Sequence, residues 1–260
     1  MKIFTVCCLA FGLLSSAQAS AEGTLRYGVE SQYPPFESRN AQGELEGFDI
    51  ELGEAICQAA RLSCSWVESS FDALIPGLMA KKFDAINSAM NITEARMKSI
   101  AFTRPIYRIP SMLVGRQDAG LQPDAAGLRG KNIGVLQGSI QETYAKRHWE
   151  PNGVTVTSYQ DQNQVYNDML AGRLDGTLVM SAAGQSGFLS KPQGKGFAFI
   201  GGAVEDSQIL GSGIGYGLRK EDAPLKSALD KAIFQVQQDG TLQKLAAKYF
   251  PGIDVRVGQQ

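Results

Sequence analysis

The chain has 260 residues, with 25 Lys and Arg against 26 Asp and Glu, for a formal net charge of −1. Nothing in that balance is basic enough for nucleic acid. The length suffices for one large domain or for two lobes with separate cores. Residues 1–19 read as a cleaved export signal. Lys2 gives the positive start, Ile3 to Leu14 the apolar stretch, and Ala17-Gln18-Ala19 the small-residue cleavage pattern. The apolar stretch is too short to span a bilayer. Cys7 and Cys8 lie too early for a lipoprotein cysteine and read as part of the signal. Its removal takes away Lys2 and moves the formal charge from −1 to −2.

In chain order, Thr24 to Val29 alternates as a strand, and Phe48 to Ile56 carries apolar residues at helical spacing. Cys64 to Glu68 reads as the next strand, Phe71 to Leu78 as a helix and Phe83 to Ile86 as a strand. Cys57 and Cys64 stand seven apart, between a predicted helix end and a strand start. In an exported chain a local disulfide is the natural reading; two buried thiols are the alternative. A zinc site is disfavoured, since the single histidine, His148, is far away in sequence and reads as part of a surface turn. The pattern restarts after Pro110, with a strand at Asn132 to Leu136 and the turn Gln137-Gly138-Ser139-Ile140 into a helix from about Gln141. Val154 to Tyr159 is a strand, about Asn163 to Ala171 a helix, and Gly176 to Met180 a strand. The stretch Ser212 to Leu218 reads as a Gly-rich strand, and helices follow near Pro224 to Gln238 and Leu242 to Tyr249. Alternating strands and helices in two runs imply an α/β protein with two lobes, largely parallel sheets and a cleft between them.

Two stretches carry the chemistry. Asn87-Ser88-Ala89-Met90-Asn91-Ile92-Thr93-Glu94-Ala95-Arg96 sets small polar groups, backbone N–H groups and one arginine around a helix start. Oriented donors, a positive helix end and a planar guanidinium are what a carboxylate needs. Glu30-Ser31-Gln32-Tyr33-Pro34-Pro35-Phe36 sets an acid and an aromatic ring after an early strand, where a cationic or flat side chain could rest.

From about Thr24 to the C-terminus these segments resemble the periplasmic amino-acid-binding proteins of ABC importers, family 3, especially the histidine and lysine/arginine/ornithine group. That resemblance implies a type II two-lobed fold with two chain crossings, near Arg108 to Ser111 and Asp206 to Gly211. Lobe 1 is then 20–109 plus 208–260, and lobe 2 is 110–207. It implies that Arg96, in Ile92-Thr93-Glu94-Ala95-Arg96, pairs with a ligand carboxylate; a surface arginine at a helix start is the alternative. Ser88 and Asn91 would offer a hydroxyl and an amide, and Ala89 its backbone. Ser139 would be a second-lobe donor, although an ordinary N-cap would look the same. Tyr33 and Phe71, just before Asp72-Ala73-Leu74-Ile75-Pro76, would sandwich the ligand side chain, with core packing as the alternative. Glu30 stands where basic-residue binders carry an acid, and its alternative is a solvated loop glutamate. The implied ligand set is Glu30, Tyr33, Phe71, Asn87, Ser88, Ala89, Asn91, Arg96, Ser111, Gln137, Ser139, Gln141 and Met180.

One position departs from the pattern. The α-amino-acid binders hold the ligand ammonium with an aspartate where this chain has Met180, and no acid occurs between Asp175 and Glu205. Two ligand types follow. An opine such as octopine or nopaline carries a substituted α-nitrogen with a second carboxylate, which an aspartate would repel; Gln141, Asn163 or Gln164 could lend it donors. Alternatively the ligand lacks the α-amino group, or water and carbonyl oxygens meet it.

The expected function is capture of a basic or guanidino amino acid or its derivative and delivery to a membrane permease. The expected carrier is a monomer without cofactor. The enzyme alternative is a secreted dehydratase like the cyclohexadienyl dehydratases, with Glu30 or Glu94 as the acid. A sensor module ahead of a transmembrane kinase is a third class, disfavoured because no spanning segment precedes Gln260. The glycines at 213, 215 and 217 suggest close backbone packing, not a dinucleotide site.

Overall fold

The computed structural model describes residues 23–257, so the predicted signal segment and Cys7 and Cys8 lie outside the described residues. In the first part of the chain, β1 (Thr24–Val29) is followed by a hairpin of β2 (Ser38–Arg39) and β3 (Leu45–Glu46). Helix α1 (Phe48–Ala59), β4 (Ser63–Glu68), α2 (Leu74–Met79), β5 (Ala85–Ile86), α3 (Glu94–Met97) and β6 (Ala101–Phe102) complete it. The middle part holds β7 (Ser111–Arg116), β8 (Asn132–Leu136), α4 (Ile140–His148), β9 (Thr155–Tyr159) and α5 (Gln162–Leu170). It ends with β10 (Gly176–Met180), α6 (Ser181–Gly184), β11 (Phe197–Ile200) and α7 (Ser207–Leu210). The last part is β12 (Gly217–Leu218), α8 (Ala223–Gln238) and α9 (Thr241–Tyr249).

Among the described residues the strands form two five-stranded sheets, ordered β4-β1-β5-β12-β6 and β11-β7-β10-β8-β9. The first takes strands from both ends of the chain and the second only from the middle. In the first sheet β4, β1 and β5 are parallel; in the second β10, β8 and β9 are parallel. The sheets are mixed where the sequence suggested largely parallel ones. β12 runs antiparallel to β5 and β6, and β7 runs antiparallel to β10 and β11. The cause is the route of the chain. A strand arriving from the other lobe enters at the cleft edge, so it starts beside the carboxyl ends of its neighbours: Ser111 pairs with Met180 and Gly217 with Ile86.

The two connections, 103–110 and 201–216, lie against each other. Ile106 N donates to Ile214 O at 2.8 Å, and Ile214 N donates to Tyr107 O at 2.7 Å. The predicted strand Ser212 to Leu218 is therefore short. Gly211 at φ +77° and Gly213 at φ +134° break the extended run, leaving isolated bridges from Ile214 to Asn91 and to Tyr107, and the pair Gly217–Leu218. Phe71–Ala73 is a 3₁₀ turn leading into α2 rather than part of one helix. His148 is the last residue of α4 and not part of a surface turn, because buried Trp149 caps that helix; its Nε2 lies 2.7 Å from Asp206 Oδ2.

The first lobe packs an aromatic core of Phe36, Phe48, Tyr107 and Phe250. Burial of each such ring stabilises by roughly 1.5–3 kcal/mol. The second lobe packs Leu113, Ile133, Val135 and Trp149 around its own sheet. Cys57 and Cys64 form a disulfide with Cα atoms 6.1 Å apart, tying the end of α1 to β4.

Candidate functional site

In doubly wound α/β structures ligands gather outside the carboxyl ends of parallel strands. Here those ends face each other across the interlobe cleft. β1 delivers Glu30, β5 delivers Asn87 to Asn91, β8 delivers Gln137 to Gln141, and β10 ends on Met180. The lobes meet around a narrow cavity lined by Tyr33, Phe71, Ala89, Asn91, Arg96, Leu136, Ser139, Ile140, Gln141 and Met180. Eight of these ten belong to the set named from the sequence. Leu136 and Ile140 were missed; they flank the turn that carries Ser139, and their position in it was the available signal.

Arg96 is held from both sides. Thr93 caps α3 by accepting the Arg96 N–H at 3.2 Å, and the guanidinium lies 5.5 Å over the Phe71 ring. Its Nη1 donates to Asn91 O at 2.8 Å, and its Nη2 reaches across the cleft to Gly138 O at 3.0 Å. No carboxylate pairs with it among the described residues. Burial pushes its pKa down to about 10. A desolvated guanidinium with spare donors attracts an anion more strongly than an exposed one.

Further bonds flank these residues at the cleft. Met180 N donates to Tyr33 Oη at 3.4 Å. Gln137 Nε2 donates to Asp72 Oδ2 at 3.1 Å, and Gln160 Nε2 donates to Gln137 Oε1 at 3.0 Å. Gly138, at φ +77°, lies so close to Asp72 that an added Cβ would sit 3.0 Å from its Cα. Ser139 caps α4 by accepting the Glu142 N–H at 3.0 Å, while lining the cavity. Gln141 lines the cavity and donates to Ser111 Oγ at 2.8 Å.

Five named residues lie outside the lining. Asn87 turns into the first lobe, where its Nδ2 donates to Asp49 O at 2.8 Å. Ser88 Oγ donates to Glu37 Oε1 at 2.7 Å and accepts the Glu30 N–H at 3.0 Å. Ser111 and Gln137 act through the bonds above. Glu30 is 3% exposed, and its Oε1 accepts the Gln32 N–H at 2.9 Å. Gln164, suggested as a donor, binds Asp161 in the first turn of α5 instead.

Beneath the first-lobe wall lie three carboxyls, Glu30, Glu37 and Asp49, with Glu37 and Asp49 each 1% exposed. Burial pushes Glu30 up to about 7. Burial, then the charge of Asp49, pushes Glu37 well above the carboxylate range. Asp49 rises to about 6 through burial, moderated by bonds from Tyr107 Oη at 2.7 Å and Ala89 N at 2.6 Å. The Ala89 bond holds that residue at φ +45°, in the left-handed region an L-residue avoids.

Comparison with known proteins agrees with this architecture. Residues 25–252 match the bacterial extracellular solute-binding proteins, family 3. The histidine-binding periplasmic protein of Salmonella typhimurium is 48% identical over 242 residues, covering 93% of each chain. The lysine/arginine/ornithine-binding periplasmic protein of Escherichia coli is 47% identical over 236 residues, covering 91% of each. A solved Salmonella typhimurium periplasmic binding protein described for high arginine specificity superposes with TM-score 0.81 at 28% identity, covering 87% of this chain and 99% of its own. With a family match spanning both lobes and relatives near half identical over almost their whole length, the chain belongs to the bacterial extracellular solute-binding proteins, family 3.

Proposed function

We propose that this chain is the periplasmic solute-capturing component of an ABC importer, taking a carboxylate-bearing solute with a basic or guanidino end and passing it to the membrane permease. The observation that carries this reading is Arg96. It is a half-buried guanidinium in the interlobe cleft, stacked on Phe71 and without an acidic partner among the described residues. A ligand carboxylate supplies that partner, and Ser139 and Asn91 stand beside it as further donors. Tyr33 and Phe71 flank the solute side chain, and Glu30 balances its positive end. The names of the relatives, binders of histidine and of lysine, arginine and ornithine, support the same ligand class.

The proposed lobes are 20–109 with 208–260, and 110–207, hinged at the paired connections. The ligand touches both lobes only when they are closed, so it stabilises that state. The carrier acts as a monomer. Met180, 4% exposed on the cavity wall, offers no charge to an α-ammonium. That favours a substituted α-nitrogen with a second carboxylate, as in octopine, over a free amino acid.

The test is calorimetric titration of the ligand-stripped mature protein with octopine and with L-arginine. Tight octopine binding with weak arginine binding supports the substituted nitrogen. Tight arginine binding makes this a plain basic amino-acid carrier. Binding of neither refutes the cationic reading.

A second reading rests on Glu30, whose carboxyl burial holds near neutrality, as a general acid needs. It makes the chain a dehydratase of a cyclohexadienol. Growth of aromatic absorbance on incubation with such a substrate, abolished by Glu30→Gln, would establish it. We favour the carrier, because both near relatives are binding proteins and Glu94, the other candidate acid, is exposed to solvent.

A further inference from the structure

Asp49 stands in the first turn of α1, behind the cavity lining rather than in it. Both ends of that helix are anchored: Asp49 N donates to Phe36 O at 2.9 Å, and the disulfide ties the far end to β4. From this fixed base Asp49 reaches the back of the cleft wall. Its carbonyl accepts the Asn87 side-chain amide at 2.8 Å, and its Oδ2 accepts the Ala89 N–H at 2.6 Å. Its Oδ1 accepts the hydroxyl of Tyr107, on the first connection between the lobes, at 2.7 Å. Backbone bonds hold the wall segment on either side: Asn87 N donates to Gly28 O at 3.0 Å, and Met90 O accepts the Gly215 N–H at 3.2 Å. Between those two points Ala89 lines the cavity at φ +45°. Two residues on, Asn91 also lines the cavity, and its carbonyl accepts Arg96 Nη1 at 2.8 Å. A turn of the Ala89 peptide is therefore carried through Asn91 to the guanidinium.

We infer that Asp49 is a positioning residue of the cavity: from behind, it holds Ala89 in a conformation that alanine disfavours, and so sets Asn91 and Arg96 in place before a solute arrives. This rests on the solute-binding reading and adds to it the residue that presets the wall. Left-handed backbone brings the alanine Cβ too close to a carbonyl oxygen, whereas glycine adopts it freely. The bond to Asp49 offsets that preference, because a buried N–H without an acceptor is unfavourable. A wall already in its binding geometry leaves less to be ordered when the solute enters. The Tyr107 bond gives the wall and one interlobe connection the same anchor, so the wall keeps its place as the lobes close.

The test is calorimetry with L-arginine and octopine on wild type, Asp49→Ala, Asp49→Asn, Ala89→Gly and the double variant Asp49→Ala with Ala89→Gly, each checked for folding by a urea melt. Asparagine removes the charge and keeps both bonds: its Oδ1 accepts the Ala89 N–H, and its Nδ2 donates to Tyr107 Oη. For whichever probe binds wild type, Asp49→Ala should raise Kd about 5-fold to 30-fold, the bias of alanine against left-handed backbone. Asp49→Asn should stay within about twofold of wild type. When Ala89→Gly is already present, adding Asp49→Ala should raise Kd less than about twofold. Where Asp49→Ala does not fold, Asp49→Ser, which is one bond shorter than aspartate and keeps a hydroxyl, is measured in its place. The same rise in Kd with and without Ala89→Gly overturns the inference while leaving solute binding intact, since a merely structural role is blind to the backbone hand of residue 89. No rise in Asp49→Ala overturns it too, and so does a rise in Asp49→Asn as large as in Asp49→Ala, which would assign the effect to charge. Wild type that binds neither probe overturns the inference and the cationic reading together.

Discussion

Gly138 offers a test of whether closure is what ligand binding measures. The substitution is Gly138→Ala. The backbone there is at φ +77°, which costs an L-residue about 1–2 kcal/mol in open and closed lobes alike. That part lowers stability and leaves affinity untouched. The new Cβ would also lie 3.0 Å from Asp72 Cα and 3.1 Å from Asp72 Cβ, on the opposite lobe. Ordinary carbon contacts sit at about 3.5–4.0 Å, and relieving such a clash in packed structure costs about 1–3 kcal/mol. This second cost falls on the closed state alone, so Kd should rise by about 5-fold to 150-fold. The control is Gly153→Ala. It has φ +89° but only an ordinary contact at 3.7 Å, with Arg129 of the same lobe. Calorimetry gives Kd, thermal melts give stability, and small-angle scattering with saturating ligand reports closure. Equal Kd for the two variants would refute the claim that the Gly138–Asp72 approach limits closure.

Three further outcomes follow from the described contacts. Arg96→Met should lower affinity for a carboxylate ligand at least about 100-fold by calorimetry, with an unchanged or higher melting temperature, since burial of the guanidinium without an acidic partner opposes folding. Folded Glu30 and Asp49, raised by burial to about 7 and about 6, bind protons more tightly than in the unfolded chain, where they titrate near 4. Their effect on stability is therefore most favourable below about pH 4 and declines as pH rises from there to about 7; Glu30→Gln should flatten that decline in melts of ligand-free protein, while wild-type affinity for a cationic ligand should rise over the upper part of that window. Replacing Cys57 and Cys64 together by alanine should cost about 2.5 kcal/mol in denaturant unfolding, from the chain entropy of an eight-residue loop.

Much of the fold was legible because it follows from local pattern. Helices α8 and α9 begin within a residue of where apolar spacing put them. The parallel parts of the two sheets follow from strand–helix alternation. What the pattern could not carry was the direction of β7 and β12, which depends on the edge at which a crossing chain enters a sheet. At the site, Arg96, Tyr33, Phe71 and Met180 were readable because a motif fixes their place. The side chains of Asn87 and Ser88 were not, since their partners, Asp49 and Glu37, come from 38 and 51 residues away.

The placement of β12 in the first sheet has a consequence for how the protein is made. Residues 217–218 fill the slot between β5 and β6, strands that end by residue 102. A chain emerging amino end first thus holds that sheet incomplete until more than 200 residues have appeared, whereas the middle lobe has all its strands by Ile200. The lobe that is second in space is the first able to form, and the nascent chain cannot close prematurely around a solute. Native closure across such long sequence separations is slow in general.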